Sequence, residues 1–268
     1  MIIIGEKING SIPSMGRAIA AHDEAFIREI ARKQAESEVD FIDVCASVGT
    51  GEAETLAWLI GLVQDVCDTP ISVDSPNARA CVEAMPLCKR PGMINSVSGE
   101  GDKLDVVFPA IAGTNWKVMA LLCDDKGIPH TPEGRIRVLE RILESAAAHG
   151  IVHDRIYIDP LVEMLCASET GATTTLNVIR YIRENYPELH ISGGISNISY
   201  QLPCRRLVNA AFAAAAVSAG MDAAVLDPLD RDLRGMVLAA EALRGEDEYC
   251  IEYISAYREG IFGPLSGD

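Results

Sequence analysis

The 268-residue chain reads as a (β/α)8 barrel. Three observations predict this class. Short apolar, β-branched runs recur eight times, each is followed by a longer stretch with helical periodicity, and the repeat averages about thirty residues. Strands that are apolar on both faces belong to a parallel sheet covered by helices. Such strands are joined by right-handed crossovers, and eight units in this length close a barrel. A doubly wound open sheet is the structural alternative.

The strands are expected at residues 2–4, 41–44, 71–73, 93–95, 117–121, 156–158, 191–193 and 223–226. Between them, residues 52–66 place Leu56, Leu59, Ile60 and Val63 on one helical stripe. Thr131-Pro132-Glu133 opens another helix with a cap and a first-turn proline; Ile136, Leu139, Ile142, Leu143 and Ala146 form its buried face, and Gly150 ends it. Further helices fit 24–36, 76–85, 103–112, 169–185, 204–218 and 233–243. An extra C-terminal helix is expected at 246–257, followed by a tail at 260–268. No linker, low-complexity segment or charge block divides the chain, so residues 1–268 read as one domain.

Charge excludes some partners. With 23 Lys and Arg against 39 Asp and Glu, the net charge is −16, which repels phosphate backbones and anionic membranes. No run approaches the roughly 18–20 apolar residues of a membrane span. The N-terminus, Met1-Ile2-Ile3-Ile4-Gly5-Glu6, carries no basic region or cleavage site, so no signal peptide is expected. None of the eight cysteines forms a C-x-x-C pair. Neither a disulfide framework nor a zinc knuckle fits, and a reducing cytoplasm is the expected compartment.

Barrel chemistry sits where strands end. The residues there are Glu6, Asp43, Asp74, Asn95, Asp159, Asn197 and Asp227; strand five offers none before Asp124. Each has a plain alternative, because Asp and Asn also cap helices and turn the chain. Seven on one rim need either mutual pairing or a ligand rich in donors and acceptors. No strand-end cation obviously partners the acids, so a phosphate ligand is disfavoured, and no phosphate-loop or dinucleotide motif is present. The histidines, at 22, 130, 149, 153 and 190, fall at expected helix edges or loops and should be solvent-exposed; no bound metal is expected. A neutral heterocycle with amino and ring N–H donors suits such acceptors.

Five ordered strings narrow the reading: Ile3-Ile4-Gly5-Glu6-Lys7-Ile8-Asn9-Gly10, Ile71-Ser72-Val73-Asp74-Ser75, Met93-Ile94-Asn95-Ser96, Tyr157-Ile158-Asp159-Pro160-Leu161 and Gly194-Ile195-Ser196-Asn197-Ile198-Ser199. Together they are very similar to the pterin-binding methyltransferase family. More narrowly, they resemble the methyltetrahydrofolate:corrinoid protein methyltransferases. These are related to the folate domain of cobalamin-dependent methionine synthase and, more distantly, to dihydropteroate synthase. The resemblance runs from Met1 to about Tyr257.

It implies a dihydropteroate synthase-like barrel with the pterin across its mouth. Asp159 would take the 2-amino and N3 edge, while Asp74 and Asn95 would face the other ring nitrogens and the carbonyl. Asn197 would sit near N5, with Gly194 and Ser196 shaping its loop and Arg205 at a basic position beyond it; Arg205 and Arg206 otherwise coat a helix start. Glu6 and Asp43 complete the substrate-binding set. Asn197 and Asp74 are the catalytic candidates, the asparagine bonding N5 and the aspartate favouring a protonated N5 through its charge. Tetrahydrofolate and 5-methyltetrahydrofolate would be the substrates. The chain lacks a D-x-H-x-x-G motif, so cobalamin would ride on a separate corrinoid protein that docks transiently. A homodimer is also implied.

Two departures stand out. Cys45 occupies a position where relatives have asparagine; a core role or a pterin-facing role is open. Residues 162–168 also differ from the family pattern. A dihydropteroate synthase-like activity would need cations for a diphosphate and a Ser-x-Arg-x-His element near the last strand, where Pro228-Leu229-Asp230 stands instead. A non-catalytic folate-binding barrel and a metal-dependent barrel remain further alternatives. Residues 207–217 leave little polar face for an outer helix, which points to cover by a second subunit or by the C-terminal helix.

Overall fold

The structure, a computed structural model, describes residues 1–47 and 50–264. Its eight parallel strands are β1 (Ile2–Asn9), β2 (Phe41–Cys45), β3 (Ile71–Asp74), β4 (Met93–Gly99), β5 (Lys117–Asp124), β6 (Ile156–Asp159), β7 (His190–Ile191) and β8 (Ala223–Leu226). They pair in the order β7-β6-β5-β4-β3-β2-β1-β8. The ring closes between β7 and β8, where Val225 N–H donates to Gly193 O (3.0 Å) and Asp222 N–H donates to Ile191 O (3.3 Å).

Alternation along the strands builds two distinct cores. Ile3, Ile42, Val44, Val73, Ile94, Val118, Ile158 and Ile191 face outward and pack under the helices. Ile4, Phe41, Met93, Met119, Tyr157 and Ala223 form a separate buried cluster inside the barrel. Two residues further along, on the same inward side, come Glu6, Asp43, Asn95, Leu121, Asp159 and Val225. The barrel is therefore apolar in its lower interior and polar at its mouth.

The covering helices are α1 (Pro13–Ala20), α2 (Glu24–Glu36), α3 (Glu52–Gln64), α4 (Ala78–Ala84), α5 (Lys103–Ile111), α6 (Pro132–Ala148), α7 (Gly171–Asn185), α8 (Arg205–Ala219), α9 (Arg231–Arg244) and α10 (Ile251–Arg258). Thr131 caps α6 by accepting from Gly134 N–H (3.2 Å), ahead of Pro132. The short helix α1 has no counterpart in the sequence reading; Pro13 starts it, and only Met15, Ala18 and Ile19 are buried. The C-terminal helix starts later than expected. Asp247 instead accepts from Glu252 N–H and Tyr253 N–H (both 2.9 Å), closing a turn in which Tyr249 and Cys250 adopt left-handed φ. Of the tail, residues 265–268 lie outside the described residues.

Strand β1 is longer than expected and irregular, with a register shift against β2 between Gly5 and Ile8. Gln34 of α2 sits behind the irregularity, and its Oε1 accepts from Lys7 N–H (3.0 Å). A Cβ at Gly5 would stand 2.5 Å from that oxygen, so this approach needs glycine.

Candidate active site

At the floor of the mouth two acids meet. Asp43 is buried, and its Oδ1 accepts from Ser72 Oγ (2.6 Å) and Asn95 Nδ2 (3.0 Å). The Asp74 carboxyl hydrogen-bonds to that of Asp43. Two carboxylates in contact resist joint ionisation. Burial raises the pKa of both, and the Asp43 charge pushes Asp74 up further. The donors on Asp43 leave it the charge and Asp74 the proton. That differs from the sequence expectation, in which Asp74 supplied the negative field.

Cys45 stands beside Asp74 in register and is buried. Its Sγ lies 3.0 Å from Ser47 Oγ, and burial raises the thiol. It is buried on the inward side, two residues beyond Asp43, where it borders the acid pair.

Asp159 ends β6 across the barrel. Burial pushes its carboxyl up to about 6, opposed by Leu161 N–H, which donates to Oδ1 (2.7 Å), and by the Arg135 charge. Gly193 lies against it: a Cβ there would be 3.3 Å from Oδ1. Among the described residues nothing donates to Oδ2, which leaves that oxygen as an acceptor.

Glu6 completes the ring from β1. Its Oε1 accepts from Ser196 Oγ (2.7 Å), and burial, aided by the nearby Asp227, pushes it up to about 7. Its neighbour Lys7 reaches Asp227, Nζ to Oδ2 2.8 Å. The rim acids are thus not all unpartnered by a strand-end cation, as the sequence had implied. The cation follows Glu6 directly, and Asp227 is engaged by it.

Asn197 sits in a 3-10 turn, Ile195–Ser199, and is exposed. A Cβ on Gly194 would come 2.9 Å from Asn197 Nδ2, so the glycine lets the amide fold back over the loop. Arg205 braces the same turn, donating to Ser196 O (2.8 Å) and Ser199 Oγ (3.0 Å). Its guanidinium lies 5.8 Å from the Tyr200 ring centre. Glu6, Ser196, Asn197 and Arg205 therefore form one connected side of the mouth, from β1 to the loop after β7; Asp43, Asp74 and Asn95 continue the ring from Glu6 along β2, β3 and β4, and Asp159 stands on β6, opposite β2.

Sequence reasoning missed several supporting groups. Arg135 is fully buried on the stripe it shares with Val138, Leu139 and Ile142; a charge at that phase of the helix was the available signal. Residues 162–168 lean on the core and on the next loop. Val162 is buried, Leu165 N–H donates to Ile198 O (3.1 Å), and Cys166 Sγ lies 3.3 Å from Tyr200 O. His190, expected at an exposed edge, lies in β7, stacks on Tyr157 (4.5 Å) and bonds Asp222 through Nδ1 (2.8 Å). Among the described residues no group of three His, Cys, Asp or Glu is placed to hold a metal ion.

A parallel barrel with acids and amides at the carboxyl ends of its strands carries its polar groups where (β/α)8 enzymes hold their active sites. The chain belongs to the pterin binding enzyme family, whose model matches residues 9–227. It is 44% identical over 268 residues to the methylcorrinoid:tetrahydrofolate methyltransferase of Eubacterium limosum, covering 99% of each chain. It is also 26% identical over 240 residues to the methionine synthase of Mycobacterium leprae, which spans 84% of this chain and 20% of that protein. Among solved structures, a dihydropteroate synthase from Coxiella burnetii in complex with pteroic acid matches with TM-score 0.67 at 19% identity, covering 92% of this chain and 94% of the other. That last likeness is one of fold.

Proposed function

We propose that this chain is a methyltransferase that moves a methyl group between N5 of tetrahydrofolate and the cobalt of a separate corrinoid protein, using one pterin-binding barrel domain formed by residues 1–268. The observation that carries this is the 44% identity over the whole length of a methylcorrinoid:tetrahydrofolate methyltransferase. That relative's name gives delivery of the methyl group to the folate, and we take this direction.

The geometry supports the following roles. Asp159 accepts from the 2-amino group and N3 through its free oxygen, a charge-assisted contact. Asp74, its proton held by Asp43, turns its other oxygen as an acceptor toward a ring N–H, while Asp43 carries the charge of the pair and holds Asn95 with its amide oxygen free for the ring. Glu6 holds Ser196, Gly194 gives the loop room, and Arg205 fixes the turn that presents Asn197. Asn197 bonds N5. Its amide can accept from protonated N5 or donate to the neutral amine after rotating, which suits an atom that gains and loses positive charge during transfer.

The corrinoid protein docks transiently over the open mouth, so its interface is of modest size. We also propose a homodimer built on α8, whose first turn exposes Leu207 at 73% beside other apolar residues. The eight cysteines, all free, support a reducing cytoplasm as the compartment.

The test is spectroscopic. Tetrahydrofolate added with this protein to a methylated corrinoid protein should convert the methyl–Co(III) spectrum to that of Co(I). Asn197→Ala should slow this by about 100-fold, the loss expected for a transition-state hydrogen bond. Turnover at the wild-type rate in that variant would remove Asn197 from the reaction.

A further inference from the structure

Arg135 lies in the first turn of α6, beneath the loop that follows Asp159, and touches nothing in the mouth itself. Its guanidinium is wholly buried, and its bonds converge on that loop. Nη1 donates to Pro160 O (2.5 Å), Leu161 O (2.8 Å) and Thr175 Oγ1 (3.1 Å). Nη2 donates to Glu163 Oε2 (2.5 Å), and Nε to Pro129 O (3.0 Å). Thr175 Oγ also donates to Leu161 O (2.9 Å). Leu161 is held with φ at +67°, a left-handed conformation that L side chains disfavour. The same residue's N–H donates to Asp159 Oδ1.

We propose that Arg135 is a positioning residue for substrate binding: by gripping the carbonyls of Pro160 and Leu161 it aims the Leu161 N–H at Asp159, and its charge keeps that side chain a carboxylate for the pterin edge. The proposal rests on the folate reading above. Simple packing does not account for the arrangement. An apolar residue on the same stripe would fill the space without the desolvation that a buried guanidinium incurs. The planar fork also matches three acceptors that lie within four residues of Asp159, a pattern a lysine ammonium cannot reproduce.

The charges around Asp159 are few. Arg135 faces it from α6, with Glu163 of the following loop offsetting part of that charge, and Cys123 faces it from β5. From the β7 side the neighbour is uncharged Gly193. Because burial already holds Asp159 at about 6, loss of the cation raises it further. The carboxylate is then lost as pH falls toward neutrality, where the wild type keeps it.

The experiment compares the full-length wild type with Arg135→Gln and Arg135→Lys. The Asp159 carboxyl is titrated by carbon-13 NMR without folate, and tetrahydrofolate affinity is measured by calorimetry at about pH 7 and about pH 9. In Arg135→Gln the midpoint should rise by about one pH unit, so that near neutrality, where about half of the carboxylate is lost, affinity falls about 2-fold further than at the higher pH, on top of the loss of grip it shares with Arg135→Lys. Arg135→Lys should keep the midpoint and bind more weakly at both pH values, because the fork is gone. An unmoved midpoint in Arg135→Gln, or weakening of equal size at both pH values, would overturn the proposal. Should Arg135→Gln fail to fold, Thr175→Val loosens the Leu161 carbonyl and leaves every charge in place; it should bind tetrahydrofolate about 3-fold more weakly with the midpoint unmoved, and unchanged affinity would overturn the grip. A wild type that binds no tetrahydrofolate overturns the folate reading itself. A wild type that binds it, with neither change in the variants, overturns the role of Arg135 alone.

Discussion

Glu6 is the residue at which site chemistry and stability oppose each other. Burial places its pKa at about 7 in the folded chain, against 4.5 as the ordinary value. A pKa raised on folding contributes stability below the unfolded value and loses it as pH rises through the folded one. Above about pH 7 the wild type therefore holds an ionised Glu6 that the fold disfavours. Glu6→Gln should stabilise the fold at pH 8 by on the order of 2 kcal/mol, read as a higher melting temperature, and have little effect at pH 4. Thermal denaturation at the two pH values checks this, and equal shifts at both would contradict the burial argument. Strand-end position alone made Glu6, Asp43, Asn95 and Asp159 legible in the sequence, because period-two alternation turns them inward above Ile4, Phe41, Met93 and Tyr157. Which carboxyl of the Asp43–Asp74 pair keeps the proton was not legible. Nor was the reach of Lys7 to Asp227, 220 positions away. Both depend on distances between strands that no local pattern encodes.

At the scale of elements, periodicity served best where helices are long and one-sided. α6 begins at its Thr131 cap with the proline behind it, and Leu139, Ile142, Leu143 and Ala146 of its expected stripe are buried, whereas Ile136 is only half-buried and Val138 lies on the inner side instead. It served worst in short or distorted pieces. α1 is eight residues long, and its three buried side chains make too short a stripe to signal a helix. At the irregularity in β1 the Lys7 N–H turns to Gln34 of α2, a partner that the strand's own sequence does not announce. α8 carries a prediction of its own. Phe212, Ala213, Ala216 and Val217 are buried, whereas Leu207 is largely exposed. Exposed apolar residues also follow on α9 and the C-terminal segment, at Leu243, Tyr249 and Ile251. Two copies joined through the first turn of α8 would cover Leu207. Leu207→Glu should convert a dimer to a monomer in sedimentation equilibrium, and a wild type that sediments as a monomer would contradict the dimer.

Across the whole molecule, one division organises structure and chemistry: apolar inward residues fill the lower barrel, and polar ones crown it. The filled interior closes the barrel below, and the polar inward side chains gather at the mouth. Acids there are costly to bury unless paired or hydrogen-bonded, and the pairings found are local: Asp74 to Asp43, Glu6 to Ser196, Lys7 to Asp227. Among the described residues the Asp159 Oδ2, the Asn95 amide oxygen and the Asn197 amide stay free, acceptors for the ring edge and one adaptable group for a reacting nitrogen. Calorimetric titration of tetrahydrofolate into the wild type and into Asp159→Asn is the most direct measurement of that division of labour. One site per chain, with affinity falling by about 10-fold or more in the variant, is the predicted result. Equal affinity in the two proteins, or no binding to the wild type, would contradict a mouth built for a reduced pterin.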